Sequence, residues 1–141
     1  MKTVLVDSNV LLDIATVDPT WFEWSADALE TAANEAPVVI NPLVYAEVSI
    51  RFRRIEDLEE AIPAGLFRRA ALPCEAAFLA AKAFLRYRRR GGARGAPLPD
   101  FYIGAHAAVS GLALLTRDTA RYRTYFPKLE IISCALLHLV L

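Results

Sequence analysis

The chain has 141 residues, 55% of them hydrophobic, and its 16 basic and 16 acidic side chains cancel at pH 7. That length suits one domain with a substantial core, and residues 1–141 are read as such a unit. No run of about eighteen uncharged apolar residues occurs, so no helical membrane span is expected.

The four apolar residues before Asp7 are too few for the apolar region of a secretory leader. Cys74 and Cys134 stand 60 positions apart and make no metal-type pair. A cytoplasmic protein with two reduced cysteines is therefore expected. The neutral total hides an asymmetry. Residues 1–60 hold 12 acids and 4 bases, a balance of −8, and residues 61–141 hold 4 acids and 12 bases, a balance of +8. Thirteen of the sixteen bases are Arg, whose rigid fork suits phosphate and carboxylate.

In chain order, Thr3-Val-Leu-Val6 reads as a buried strand. It ends at Asp7-Ser-Asn9, where Ser8 or Asn9 would cap a short helix carrying Val10, Leu11 and Ile14. After the break at Asp18-Pro-Thr, Thr20 can cap a helix reaching about Asn34. Pro37 opens a second strand, Val38-Val-Ile40, and Asn41-Pro42 starts the next helix. In that helix Leu43, Ala46, Glu47 and Ile50 share one face, so Glu47 is expected to point inward. A buried, unpaired carboxylate must protonate, pair or bind a cation.

Ile55–Ile62 reads as a short acidic helix ended by Pro63 and Gly65, and Leu66-Phe67 as a turn docked on the core. The longest helix runs from Cys74 to about Arg90, with Phe78, Ala81 and Leu85 as its stripe. It ends in Arg86, Arg88, Arg89 and Arg90, ahead of a glycine-rich loop over residues 91–95 that holds Arg94. Pro99-Asp100 starts another helix, whose buried face carries Phe101, Ala105 and Val109. Ala113-Leu-Leu115 gives a third strand ending at Thr116-Arg117-Asp118, and Leu129–Ile132 a fourth. The tail after Ser133 is unusually apolar and calls for cover, by the core or by a second subunit.

Strands alternating with helices predict an α/β three-layer sandwich: a short, mostly parallel sheet of four to five strands flanked by helices. Ligands of such sheets bind beyond the carboxyl ends of the strands. Asp7 and Asp118 follow two of those ends, Glu47 lies in the helix after a third, and Asp100 opens the helix feeding the third strand. Four acids can thus meet at one edge. Brought together they repel, and an all-oxygen set selects a hard cation, Mg²⁺ or Mn²⁺. Such a site can activate water against a phosphodiester. Ser8, Asn9 and Thr116 would hold ligands or water, and Arg86, Arg88, Arg89, Arg90, Arg94 and Arg117 are candidates to contact substrate phosphates.

Four segments together, Val-Leu-Val-Asp7-Ser-Asn9, Asn41-Pro-Leu-Val-Tyr-Ala-Glu47, Leu98-Pro-Asp100-Phe-Tyr-Ile-Gly-Ala-His-Ala and Leu115-Thr-Arg-Asp118, resemble the PIN-domain family. More closely they resemble the VapC toxins of bacterial toxin–antitoxin pairs. The resemblance implies a PIN-like fold, Mg²⁺-dependent endoribonuclease activity, a homodimer, and inhibition by a VapB-like antitoxin. It carries over Asp7, Glu47, Asp100 and Asp118 as the acidic quartet and Thr116 as its polar helper. None of the four acids is substituted; the departure is the apolar tail.

Plainer roles exist for each acid: Asp7 or Asp100 as a helix cap, Glu47 as the partner of an Arg, Asp118 as a turn residue. His106 is expected to be a packed structural histidine, and Asp13 and Asp18 to be solvated. A phosphatase using an aspartyl intermediate would want a second Asp where Asn9 stands, and a dinucleotide-binding turn would want glycines. The alternative to a nuclease is a non-catalytic PIN-like module that binds RNA or a partner protein.

Overall fold

The computed structural model describes residues 2–91 and 98–133. Arg94, most of the glycine-rich loop, Cys134 and the apolar tail lie outside the described residues. The strands are β1 (Val4–Val6), β2 (Val38–Ile40), β3 (Phe67–Arg69), β4 (Ala113–Leu115) and β5 (Ile131–Ile132). The helices are α1 (Ser8–Ala15), α2 (Phe22–Glu35), α3 (Pro42–Ser49), α4 (Ile55–Ala61), α5 (Cys74–Arg89), α6 (Leu98–Val109) and α7 (Ala120–Tyr125).

One sheet of order β3-β2-β1-β4-β5 unites the strands, and every pairing in it is parallel. β1, β2 and β4 are buried on both faces, as their unbroken apolar runs, Val-Leu-Val, Val-Val-Ile and Ala-Leu-Leu, require. Each such side chain, withdrawn from water, stabilises the fold by roughly 1.5–3 kcal/mol. The chain winds outward from β1 through β2 to β3, then returns to place β4 on the other flank of β1, with Val6 opposite Leu115. The direction of winding reverses between β1 and β4, and a crevice at the carboxyl ends of that pair is where such folds hold ligands.

Several local expectations are corrected. Asp7 itself is the N-cap of α1, accepting from the Ser8 N–H at 2.7 Å; neither Ser8 nor Asn9 takes that role. Before α2 it is Asp18, not Thr20, that accepts, from the Thr20 and Trp21 N–H groups at 2.9 Å each. Asp18 thus shapes this turn while staying partly open to solvent, and those two bonds hold its pKa down. Asp13, expected to be solvated, is buried instead. The inward face of α3 is Asn41, Val44 and Val48, one position off the expected stripe; Ala46 and Ile50 are exposed and Glu47 sits on the flank, half-buried.

α5 turns Ala76, Ala80 and Ala83 to the core and leaves Phe78, Ala81 and Leu85 outside. Small side chains let α5 lie close against α6, while Phe84 and Tyr87 reach Phe101 around the edge of the contact. The region read as a docked turn is the edge strand β3, which buries Phe67 alone. Helix α6 begins at Leu98, so Asp100 lies within its first turn rather than at its cap, and Val109 is exposed.

Candidate active site

Asp7 is the hub. It leaves the carboxyl end of β1, is almost wholly buried, and still accepts from several donors. Thr116 Oγ1, at the end of β4, donates to its Oδ2 at 2.9 Å, and the Tyr122 hydroxyl of α7 donates to the same oxygen at 3.0 Å. The Thr116 hydroxyl is used to capacity, since it also accepts from the Asp118 N–H and from Asn9 Nδ2 at 3.1 Å each. Ser8 Oγ donates to Glu47 Oε1 at 3.1 Å, which ties the α3 acid to the start of α1.

Burial raises the Asp7 pKa; the bonds from Thr116, Tyr122 and Ser8 oppose that, and the charge of Asp100 adds to it. Glu47 is raised by desolvation, with the bond from Ser8 opposing and the charges of Asp7 and Asp100 adding. Desolvation also raises Asp100; Arg121 opposes, and the charge of Asp118 adds. Tyr122 is pushed well above 10 by burial and by Asp7, so its hydroxyl keeps its proton and remains a donor.

The structure thus brings Asp7, Glu47 and Asp100 within electrostatic reach of one another, and the charge of Asp118 reaches Asp100. Ser8, Asn9 and Thr116 all bond inside this group. Asp118 itself is exposed. The donor chemistry, oxygen throughout, fits a hard divalent cation. Among the described residues, however, no three acidic, imidazole or thiol side chains close on a common ligand position as they stand. Arg121 pairs with one of these acids: its Nη1 lies 2.7 Å from Asp100 Oδ2, and its guanidinium rests over the Tyr87 and Phe101 rings.

Arg121 and Tyr122 escaped the sequence reading. Arg121 leaves no local signal, being 21 positions from Asp100. Tyr122 does leave one, because a tyrosine at a buried position needs a partner for its hydroxyl. Gly104 makes room for it: a Cβ there would lie 2.6 Å from the Phe126 ring and 2.9 Å from that of Tyr122. His106 is a packed histidine. Asn41 Oδ1 caps α3 by accepting from the Val44 N–H, and Asn41 Nδ2 faces His106 Nδ1 at 3.1 Å, so the ring nitrogen accepts. Burial lowers the His106 pKa, in keeping with a neutral ring.

The arginines divide. Arg86 and Arg90 lie over the Tyr125 ring, Arg88 lies over Phe84, and Arg89 is exposed. Arg117 is bound to Asp13 by two hydrogen bonds and covers Trp21. A cavity of about 520 Å³ between α5, α6 and α7 is lined by Lys2, Arg86, Arg90 and Lys128 but by none of the four acids. Carboxylate chemistry, not cavity size, marks the site.

A short parallel sheet wound in both directions from β1, with helices on its flanks and acids near its carboxyl edge, defines an α/β domain of PIN-like fold. The model of the PIN domain matches residues 4–127, and the chain belongs to the PIN domain family. Solved structures of the same fold include VapBC2 from Rickettsia felis bound to a promoter DNA fragment. That match has 16% identity and a TM-score of 0.71, and covers 93% of this chain and 98% of that one. FitAcB from Neisseria gonorrhoeae matches at 19% identity and a TM-score of 0.67, over 92% and 96% of the two chains. A toxin–antitoxin complex from Klebsiella pneumoniae matches at 21% identity and 0.67, over 92% and 95%. No curated protein matches the chain. Among the described residues no helix is long and apolar enough to cross a membrane.

Proposed function

We propose that this PIN-domain protein is a Mg²⁺-dependent endoribonuclease, the toxin of a VapBC-like pair, acting in the cytoplasm as a homodimer and restrained by a VapB-like antitoxin. The observation that carries the reading is the convergence on Asp7 at the switch point of the sheet. Elements from both ends of the chain meet there around a carboxylate that is buried, crowded and poorly neutralised. Such a group is costly to keep in a fold without a use for it.

Asp7, Glu47, Asp100 and Asp118 would hold the cation, with Mn²⁺ as a substitute. When bound, it supplies Lewis-acid activation of water and neutralises charge on the phosphodiester. Thr116 and Tyr122 orient Asp7 by fixing one of its oxygens, and Ser8 orients Glu47. The basic residues Arg86, Arg88, Arg89 and Arg90 favour an RNA strand electrostatically.

Purified protein, freed of partners, is incubated with total bacterial RNA in Mg²⁺, Mn²⁺ or EDTA, beside Asp7→Asn. Discrete cuts that need the metal and vanish in the variant support the reading. RNA or partner binding that persists in EDTA without any cutting would replace it with the binding-module reading.

A further inference from the structure

Asp13 takes no part in the chemistry above, yet it is the most buried partner of any ion pair found among the described residues, with 3% of its side chain exposed. Its Oδ2 accepts from Arg117 Nε at 2.8 Å and from Ser25 Oγ of α2 at 2.8 Å, and its Oδ1 accepts from Arg117 Nη2 at 3.1 Å. The guanidinium is also stacked over Trp21, 5.3 Å from the ring centroid. A planar fork held on two prongs and one face has a single orientation. The Arg117 N–H meanwhile points to Asn9 Oδ1 at 3.4 Å.

The neighbours of Arg117 in the chain are Thr116, which bonds Asp7, and Asp118, whose N–H bonds Thr116. Asp118 is exposed, so its place relative to the other acids is set by its backbone, and that backbone is clamped one residue away.

We infer that Asp13 and Arg117 are positioning residues: they lock the Thr116–Asp118 connection to α1 and α2 so that Asp118 is presented to the cation site. This rests on the metal-site reading above, and it moves Arg117 from the RNA-contacting set to the scaffold of the site.

The test titrates Mn²⁺ alone into the full chain by calorimetry, for wild type, Arg117→Lys, Asp118→Asn and the double variant. Lysine keeps the charge but loses the fork. About tenfold weaker Mn²⁺ binding is expected in Arg117→Lys, as is usual when a group supporting a ligand is lost. In the Asp118→Asn background the same change should have little effect, because both act through one ligand. Binding of a short RNA in EDTA should be unchanged.

Should Arg117→Lys fail to fold, the neutral pair Asp13→Asn with Arg117→Gln replaces it with the same expectation. Wild-type Mn²⁺ affinity in the variant, or an equal loss in both backgrounds, would overturn the inference and leave the metal site standing. So would weakened RNA binding with unchanged Mn²⁺ binding, which would make Arg117 a substrate contact. No Mn²⁺ binding by wild type would overturn the metal site and this inference together.

Discussion

Two arginines on the connection from β4 into α7, four residues apart, each hold an acid and each lie on aromatic rings, yet their surroundings differ. On the α1–α2 side, Arg117 grips Asp13 with two nitrogens, and Ser25 donates to the same carboxylate. On the α5–α6 side, Arg121 reaches Asp100 through one nitrogen, and both side chains stay partly open, at 29% and 26% exposure. Asp100 remains raised in pKa despite its arginine, because burial and Asp118 outweigh it. The first pair is a closed strut. The second leaves Asp100 partly open to water, as its proposed role as a cation ligand requires.

Breaking the strut should have the largest effect. Asp13→Ala would leave Arg117 over Trp21 without its acid and Ser25 without its acceptor, costing about 3–5 kcal/mol in urea unfolding. Gly104→Ala attacks the other side, forcing a methyl against Phe126 and Tyr122; a loss of about 1–3 kcal/mol is expected. It should also weaken the Tyr122–Asp7 bond, lowering RNA cleavage even in protein that remains folded.

The pH dependence sharpens the contrast. Asp7, Glu47 and Asp100 have folded pKa values above their ordinary 3.8 or 4.5, so above that range the folded protein binds more protons than the unfolded chain. Their contribution to metal-free stability is therefore lost as pH rises through the folded values. His106 acts oppositely: its folded value lies below 6.5, and its contribution is complete above 6.5 and lost as pH falls.

Glu47→Gln separates the two, since the amide oxygen can still accept from Ser8. The variant should gain on wild type as pH rises above 4.5, read from thermal melts in EDTA. Adding Mg²⁺ should raise the melting temperature of wild type more than that of the variant. The smallest effect is expected from Arg121→Gln, about 1 kcal/mol or less, because its pair is partly open to water.

Asp7 and Asp118 could be placed from sequence because they follow strand ends that a parallel sheet sends to one edge, while Glu47 and Asp100 stand on helices α3 and α6. Asp13 was misread because only apolar positions were counted along α1. It lies three residues beyond Val10, on the buried face, and its partner Arg117 is 104 residues away. The face of α5 was misjudged by weighing bulk over fit. Phe78 and Leu85 carry more hydrophobic surface, but close contact with α6 selects Ala76, Ala80 and Ala83. β3 was hidden by Arg68 and Arg69, which suit the exposed side of an edge strand. α7 has too few apolar residues to show a period, burying Tyr122 alone.

The hydrogen bond from Thr116 to Asp7 joins positions 109 residues apart. Contacts of such sequence separation form late, because most of the chain must be made and ordered before the loop can close. A chain still emerging from the ribosome lacks Thr116, Asp118, Arg121 and Tyr122 together, and β1 then has no β4 to dock on. The candidate site of such a chain is assembled only when synthesis is nearly finished, so the proposed nuclease would stay inactive while it is being made.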